Sequence, residues 1–150
     1  MPRPASRRIL AIDVGASTIK LCEVRGDGTL VGTVDRRPTP YPCAPDLLVD
    51  VVAAEIRARP CPLVGVGFPG DFRDGHVLEP GNLSRPGGIT TDIDTDLHQA
   101  WRNFHLEGAL RRASGRDVRV VNDATLPDGG WCCQKSSSAG IRDWKPLRVP

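Results

Sequence analysis

Apolar and polar positions alternate along this chain with two different periods, and the switches between them mark out the elements. Arg8 to Val14 is a short run rich in Ile and Val, closed by Gly15, and it predicts a buried strand. Thr18 to Val24 sets Ile19, Leu21 and Glu23 against Lys20, Cys22 and Val24, an imperfect alternation that predicts a second strand. Asp27-Gly28 supplies positive φ at little steric cost, so Thr29 to Val34 is expected to return as the third strand of a meander. Pro38 to Pro45 is Pro-rich and extended. From Asp46, Leu47, Leu48, Val51, Val52 and Ile56 recur at helical spacing until Cys61-Pro62 breaks the pattern.

Leu63 to Phe68 is again a continuous strand-like run, stopped by Pro69-Gly70. Asp71 to Ile93 consists mostly of loop formers, with a brief strand possible at His76-Val77-Leu78. One helix is expected from about Leu97 or Trp101 to Ala113, offering Phe104, Leu106, Ala109 and Leu110 to a core and ending before Gly115. Val118 to Val121 reads as the last strand, with Asn122-Asp123 at its carboxyl end. Three strands in a meander, then helix, strand, long loop, helix and strand, make an α/β fold on a sheet of mixed direction. Beyond Leu126 the periodicity disappears among Pro, Gly and Ser, so residues 127–150 are expected to be an irregular tail to a domain spanning 1–126.

Composition removes several function classes. The 150 residues carry a formal net charge of +2, without a basic stripe, so a nucleic-acid partner is not expected. No apolar run approaches the ~20 residues that cross a bilayer, and the amino terminus lacks the pattern of a secretory signal. The five cysteines include no CxxC pair, which gives neither a zinc pattern nor a disulfide framework. A reduced, cytoplasmic setting without membrane association is expected.

Four stretches lie at strand ends or in adjoining loops, where open α/β sheets gather ligands. Asp13-Val14-Gly15-Ala16-Ser17-Thr18 joins a carboxylate to a tight turn with hydroxyls, a combination that can hold a hydrated cation and present N–H groups to phosphate. The GxxxxGK[ST] of a P-loop is absent. Gly65-Val66-Gly67-Phe68-Pro69-Gly70 permits close backbone approach. Gly81-Asn82-Leu83 offers an amide that both donates and accepts, as a sugar hydroxyl requires. Val120-Val121-Asn122-Asp123-Ala124 sets a carboxylate where a general base for a hydroxyl would stand. Each stretch alone is also compatible with an ordinary turn or helix cap.

Together, in this order, LAIDVGASTIKLCEV, VGVGFPGDFRDGHVLEPGNLSRPGG and VRVVNDATL resemble the ROK family of sugar kinases and repressors, on the glucokinase and polyphosphate-glucokinase branch. The resemblance runs roughly from Ile9 to Leu126. It implies an actin-like, ribonuclease H-type fold. It implies phosphate binding at Asp13, Gly15, Ser17 and Thr18, and sugar binding at Gly70, Asn82, Asn122 and Asp123, with Asp123 as the base that takes the proton of the hydroxyl being phosphorylated. It further implies Mg²⁺ with ATP or polyphosphate as donor, a small-molecule sugar as substrate, and compatibility with a homo-oligomer.

The family pattern then stops. The second domain of the family supplies a further phosphate loop, a sugar-binding Glu and His, and often a Cys-rich zinc site. Here no such loop follows Asp123, the three histidines precede it, and Cys132-Cys133 lacks zinc-site spacing. The sequence is therefore expected to be an N-terminal half, truncated at about Pro127, with a donor bound only if a second domain is supplied. A non-catalytic sugar- or phosphate-binding half-domain, or a truncated pseudogene product, is the alternative expectation. With about eight residues before the first strand, the DNA-binding role of the family's repressors is not expected.

Overall fold

The computed structural model describes residues 7–26 and 28–122. Asp123 and the whole 127–150 segment lie outside the described residues. The strands are β1 (Arg8–Val14), β2 (Thr18–Arg25), β3 (Leu30–Pro38), β4 (Leu63–Phe68), β5 (Asp71–Arg73), β6 (His76–Glu79) and β7 (Asp117–Asn122). The helices are α1 (Pro45–Arg57), α2 (Thr95–Trp101) and α3 (Leu106–Ser114).

The main sheet has the order β3-β2-β1-β4-β7. β1 pairs antiparallel with β2, and β2 with β3, as the short connections of a meander require. β4 joins β1 in parallel and β7 joins β4 in parallel, each after a helical crossover. Alternation along β1 divides it between two clusters. Leu10, Ile12 and Val14 enter the main core with Leu48, Val52 and Ile56 of α1, Trp101 of α2, and Leu106 and Leu110 of α3. Ile9 and Ala11 join Cys22 and Val24 on the opposite face. β2 is thus apolar on both faces towards its end, which explains why its alternation is imperfect.

α1 begins one residue before the expected Asp46. Pro45 stands in its first turn, where a missing N–H costs nothing, and Asp46 and Arg57 lie at the ends that favour their charges. An ion network ties this helix to the edge strand. Arg59 bonds Glu55 at 2.6 Å and Asp35 at 2.6 Å, and Arg37 bonds Glu55 at 2.8 Å. β3 continues to Pro38, beyond the expected Val34, because its pairing with β2 extends to Thr18↔Pro38.

Two other expectations need correction. The stretch after Gly70 is not all loop: β5 and β6 form a hairpin closed by Asp74 (φ 49°) and Gly75 (φ 84°), the two left-handed residues of a tight turn. The helix expected from about 97 to 113 is two helices. Asn103 takes φ 60°, and the 103–104 backbone bonds to β6 instead of continuing the helix. Asn103 N–H donates to the Val77 carbonyl at 2.8 Å, and Val77 N–H donates to the Phe104 carbonyl at 2.9 Å. The Trp101 indole fixes the corner from inside. It is fully buried, its Nε1–H donates to the Cys43 carbonyl at 2.7 Å, and its ring lies 5.6 Å from Phe68 and 5.9 Å from Phe104.

β7 is the outer strand, and α3 covers part of its edge with side chains. Arg111 Nε donates to the Val118 carbonyl at 2.9 Å, and Val120 N–H donates to Glu107 at 3.0 Å. Such pairing occupies groups that another strand would otherwise recruit.

Candidate functional site

The parallel strands β1, β4 and β7 end at the same side of the sheet, and the four stretches meet along that side. Register places Asp13 beside Gly67 and Phe68 beside Asn122. Asp13 also stands directly opposite Lys20 on β2, so the two arise from one face of the sheet. Both are half-buried.

The turn after β1 is narrow. Gly15 N–H bonds the Thr18 carbonyl at 3.0 Å, and a Cβ on Gly15 would stand 2.6 Å from that oxygen. No larger residue fits without opening the turn. Its outward carbonyls are gripped by the segment that follows β3. Thr39 Oγ1 donates to the Gly15 carbonyl at 2.8 Å, and Thr39 N–H donates to the Ser17 carbonyl at 3.0 Å. The Tyr41 hydroxyl donates to the Ala16 carbonyl. Thr39 is only 6% exposed, whereas Ser17 at the tip is exposed. Burial, with the nearby Cys43 adding to it, raises the Tyr41 hydroxyl above its usual pKa, so it remains a donor at neutral pH.

On the other side of the sheet ends, Pro69-Gly70 turns the chain into the β5–β6 hairpin. A Cβ on Gly70 would lie 1.9 Å from the Glu79 carbonyl oxygen, so the hairpin returns directly over this residue. Gly81, at φ 59°, then folds back on the same turn, and a Cβ there would stand 2.9 Å from the Pro69 carbonyl. Asn82 follows in a 3-10 turn, Gly81–Ser84, anchored by Ser84 Oγ donating to the Gly81 carbonyl at 2.8 Å. Asn82 is half-buried, and among the described residues its side chain has no hydrogen bond. Asn122 closes the arrangement from β7: its Nδ2 donates to the Gly70 carbonyl. Beyond them Glu79 reaches His98 of α2 at 3.0 Å, which ties the end of the hairpin to that helix.

The structure therefore brings Gly70, Asn82 and Asn122 together around one turn, and it sets Asp13, Gly15, Ser17 and Thr18 in a second turn at the same side of the sheet. Sequence reading missed Lys20, Thr39 and Tyr41. Counting back from a two-residue turn at Ala16-Ser17 would have put Lys20 opposite Asp13. Nothing local marks Thr39 or Tyr41, whose contacts cross more than 20 residues.

No protein-family model matches the chain, and no curated protein sequence does. Solved structures do. An inorganic polyphosphate/ATP-glucomannokinase from Arthrobacter sp. strain KM aligns over 79% of this chain and 45% of its own, at 34% identity and TM-score 0.61. The chain has the fold of the ROK-family sugar kinases. A ROK family glucokinase from Streptomyces griseus, solved with glucose and AMPPNP, aligns over 79% of this chain and 34% of its own at 23% identity, TM-score 0.55. A ROK hexokinase from Thermus thermophilus aligns over 79% of this chain and 36% of its own at 19% identity, TM-score 0.54. The chain thus spans less than half the length of the structures it matches. Its mixed five-stranded sheet with flanking helices is the part it shares with them.

Proposed function

We propose that this chain is the sugar-binding, N-terminal half of a hexose kinase that phosphorylates glucose or a related sugar from ATP or polyphosphate. The observation that carries the reading is the bond from Asn122 to the Gly70 carbonyl. It joins the end of β7 to the turn that also positions Asn82, and so gathers the amides suited to sugar hydroxyls at one point. Asn82 would use its amide both to donate and to accept. Asp123, next in the chain, would act as general base for the attacking hydroxyl.

The turn after β1 would serve the donor. Phosphoryl transfer depends on positioning and charge neutralisation more than on covalent participation. Gly15, Ser17 and Thr18 would contribute backbone N–H groups and hydroxyls to a phosphate. Asp13 is a hard oxygen donor leaving a strand beside that turn, which fits an outer contact to hydrated Mg²⁺. The ion would supply positive charge against the donor phosphates. Lys20, across the ladder from Asp13, would add to the positive field.

In this reading residues 1–126 are one half of a cleft, and the facing half comes from a second domain that supplies the remaining donor contacts. Titration by calorimetry with glucose, then with Mg²⁺-ATP and polyphosphate, separates the two halves. Glucose binding that Asn82→Ala abolishes supports the sugar assignment, and a folded chain indifferent to glucose refutes it. In a chain carrying both halves, Asp123→Asn is expected to lower kcat roughly 10²–10⁴-fold with little change in sugar affinity.

A further inference from the structure

The turn after β1 is held by three hydrogen bonds that all reach its carbonyl side. Thr39 Oγ1 takes the Gly15 carbonyl, Tyr41 Oη takes the Ala16 carbonyl, and Thr39 N–H takes the Ser17 carbonyl. Among the described residues the Tyr41-Pro42 bond alone is cis, so the three peptides from Gly15 to Thr18 are trans. In a trans peptide the N–H points opposite to the preceding carbonyl. Fixing three consecutive carbonyls towards residues 39–41 therefore fixes the N–H groups of Ala16, Ser17 and Thr18 in the opposite direction, away from that strap. Backbone N–H groups aimed outward from a tight turn form an anion-binding concavity.

We infer that Thr39 and Tyr41 are positioning residues for a phosphate or polyphosphate group, acting through the direction they impose on the turn's N–H groups. This rests on the reading of the turn as a phosphate site. Neither side chain contacts the anion. Thr39 is buried behind the turn, and the Tyr41 hydroxyl is committed to Ala16. The two act as one clamp: losing either hydroxyl leaves one peptide free to rotate, and each rotation withdraws one N–H from the anion. Gly15 is part of the same device, since a Cβ there would push against the Thr18 carbonyl and reopen the turn.

The test uses the full chain with inorganic tripolyphosphate and Mg²⁺ as probe. Affinity is read by calorimetry, and the amide signals of residues 16–18 by ¹⁵N NMR. The turn supplies only part of the donor contacts, so the wild-type chain is expected to bind this probe weakly, with shifts at those amides. Thr39→Val and Tyr41→Phe should each weaken binding roughly tenfold, as loss of one well-placed hydrogen bond would. Thr39→Ser, which keeps the hydroxyl, should bind like wild type. Ser114→Ala is the stability control. It removes the bond from Ser114 Oγ to the Leu110 carbonyl in α3, so it should lower the melting temperature without touching affinity. Wild-type binding left unchanged by Thr39→Val and Tyr41→Phe overturns the clamp while preserving the phosphate site. An absence of binding by the folded wild-type chain overturns the phosphate reading itself, and the clamp with it.

Discussion

Replacing Gly70 by Ala tests the closest backbone approach in the candidate site. The new Cβ would lie 1.9 Å from the Glu79 carbonyl oxygen and 2.9 Å from its carbon. An unstrained carbon–oxygen contact needs about 3.3 Å, so the hairpin must retreat by roughly 1.4 Å. It has little freedom to do so. β6 is bonded on its far side to the corner at 103–104, through Val77 N–H at 2.9 Å and the Val77 carbonyl at 2.8 Å, and Val77 is fully buried. The obstacle is backbone, which cannot swing aside as a flexible side chain would. Overpacking of this kind costs about 3 kcal/mol. For a domain of this size that corresponds to a fall in Tm of roughly 10–20 °C. Retreat of the hairpin also moves the Gly70 carbonyl from Asn122, so glucose affinity should fall with stability. Thermal unfolding followed by circular dichroism is the assay, with calorimetry for the sugar. A Gly70→Ala chain melting within about 2 °C of wild type would show that the hairpin does not cross Gly70 as described.

The remaining predictions concern the elements that support the site. Glu55 is held below the usual carboxylate pKa, first by its bond to Arg59 and then by Arg37, against the opposing effect of burial. A lowered folded pKa means that the stabilisation is present above the unfolded value of about 4.3 and lost as pH falls through the folded value. Glu55→Gln should therefore lower stability by about 1–2 kcal/mol at pH 7 in urea titrations, and its difference from wild type should shrink below about pH 4. Asp94 accepts from Leu97 N–H at 2.8 Å at the start of α2, so Asp94→Ala should cost about 1 kcal/mol, read in the same titration. Burial pushes the Cys43 thiol to about 12 and the Cys61 thiol to about 11, the latter with help from Glu23. Both should resist alkylation at pH 8 in the folded chain and react once it is unfolded, as mass spectrometry of labelled peptides would show.

Much of the architecture is legible in the sequence because it rests on local period. β1, β4 and β7 are apolar runs of strand length closed by turn residues, and α1 carries its core face at helical spacing. The misses have a common cause. The β5–β6 hairpin is announced by Asp74-Gly75, the same signal as Asp27-Gly28, but the strands on either side are too short to show alternation. The break between α2 and α3 is a tertiary effect. Asn103 can adopt positive φ, yet nothing in the pattern shows that Val77 will take its N–H. The same holds in the site. Gly15, Gly70 and Asn82 stand in recognisable turns, whereas the grip of Thr39 and Tyr41 exists only once β3 is placed beside β2.

The central claim is that Gly70, Asn82 and Asn122 form one sugar-binding face at the strand ends. Titrating glucose into the ¹⁵N-labelled chain and following each backbone amide tests it most directly. Saturable shifts are expected to concentrate at residues 70, 81–84 and 122, with smaller effects at β3 and at the outer face of α3. A well-dispersed spectrum that glucose leaves unchanged, or changes chiefly at residues remote from those turns, would contradict it.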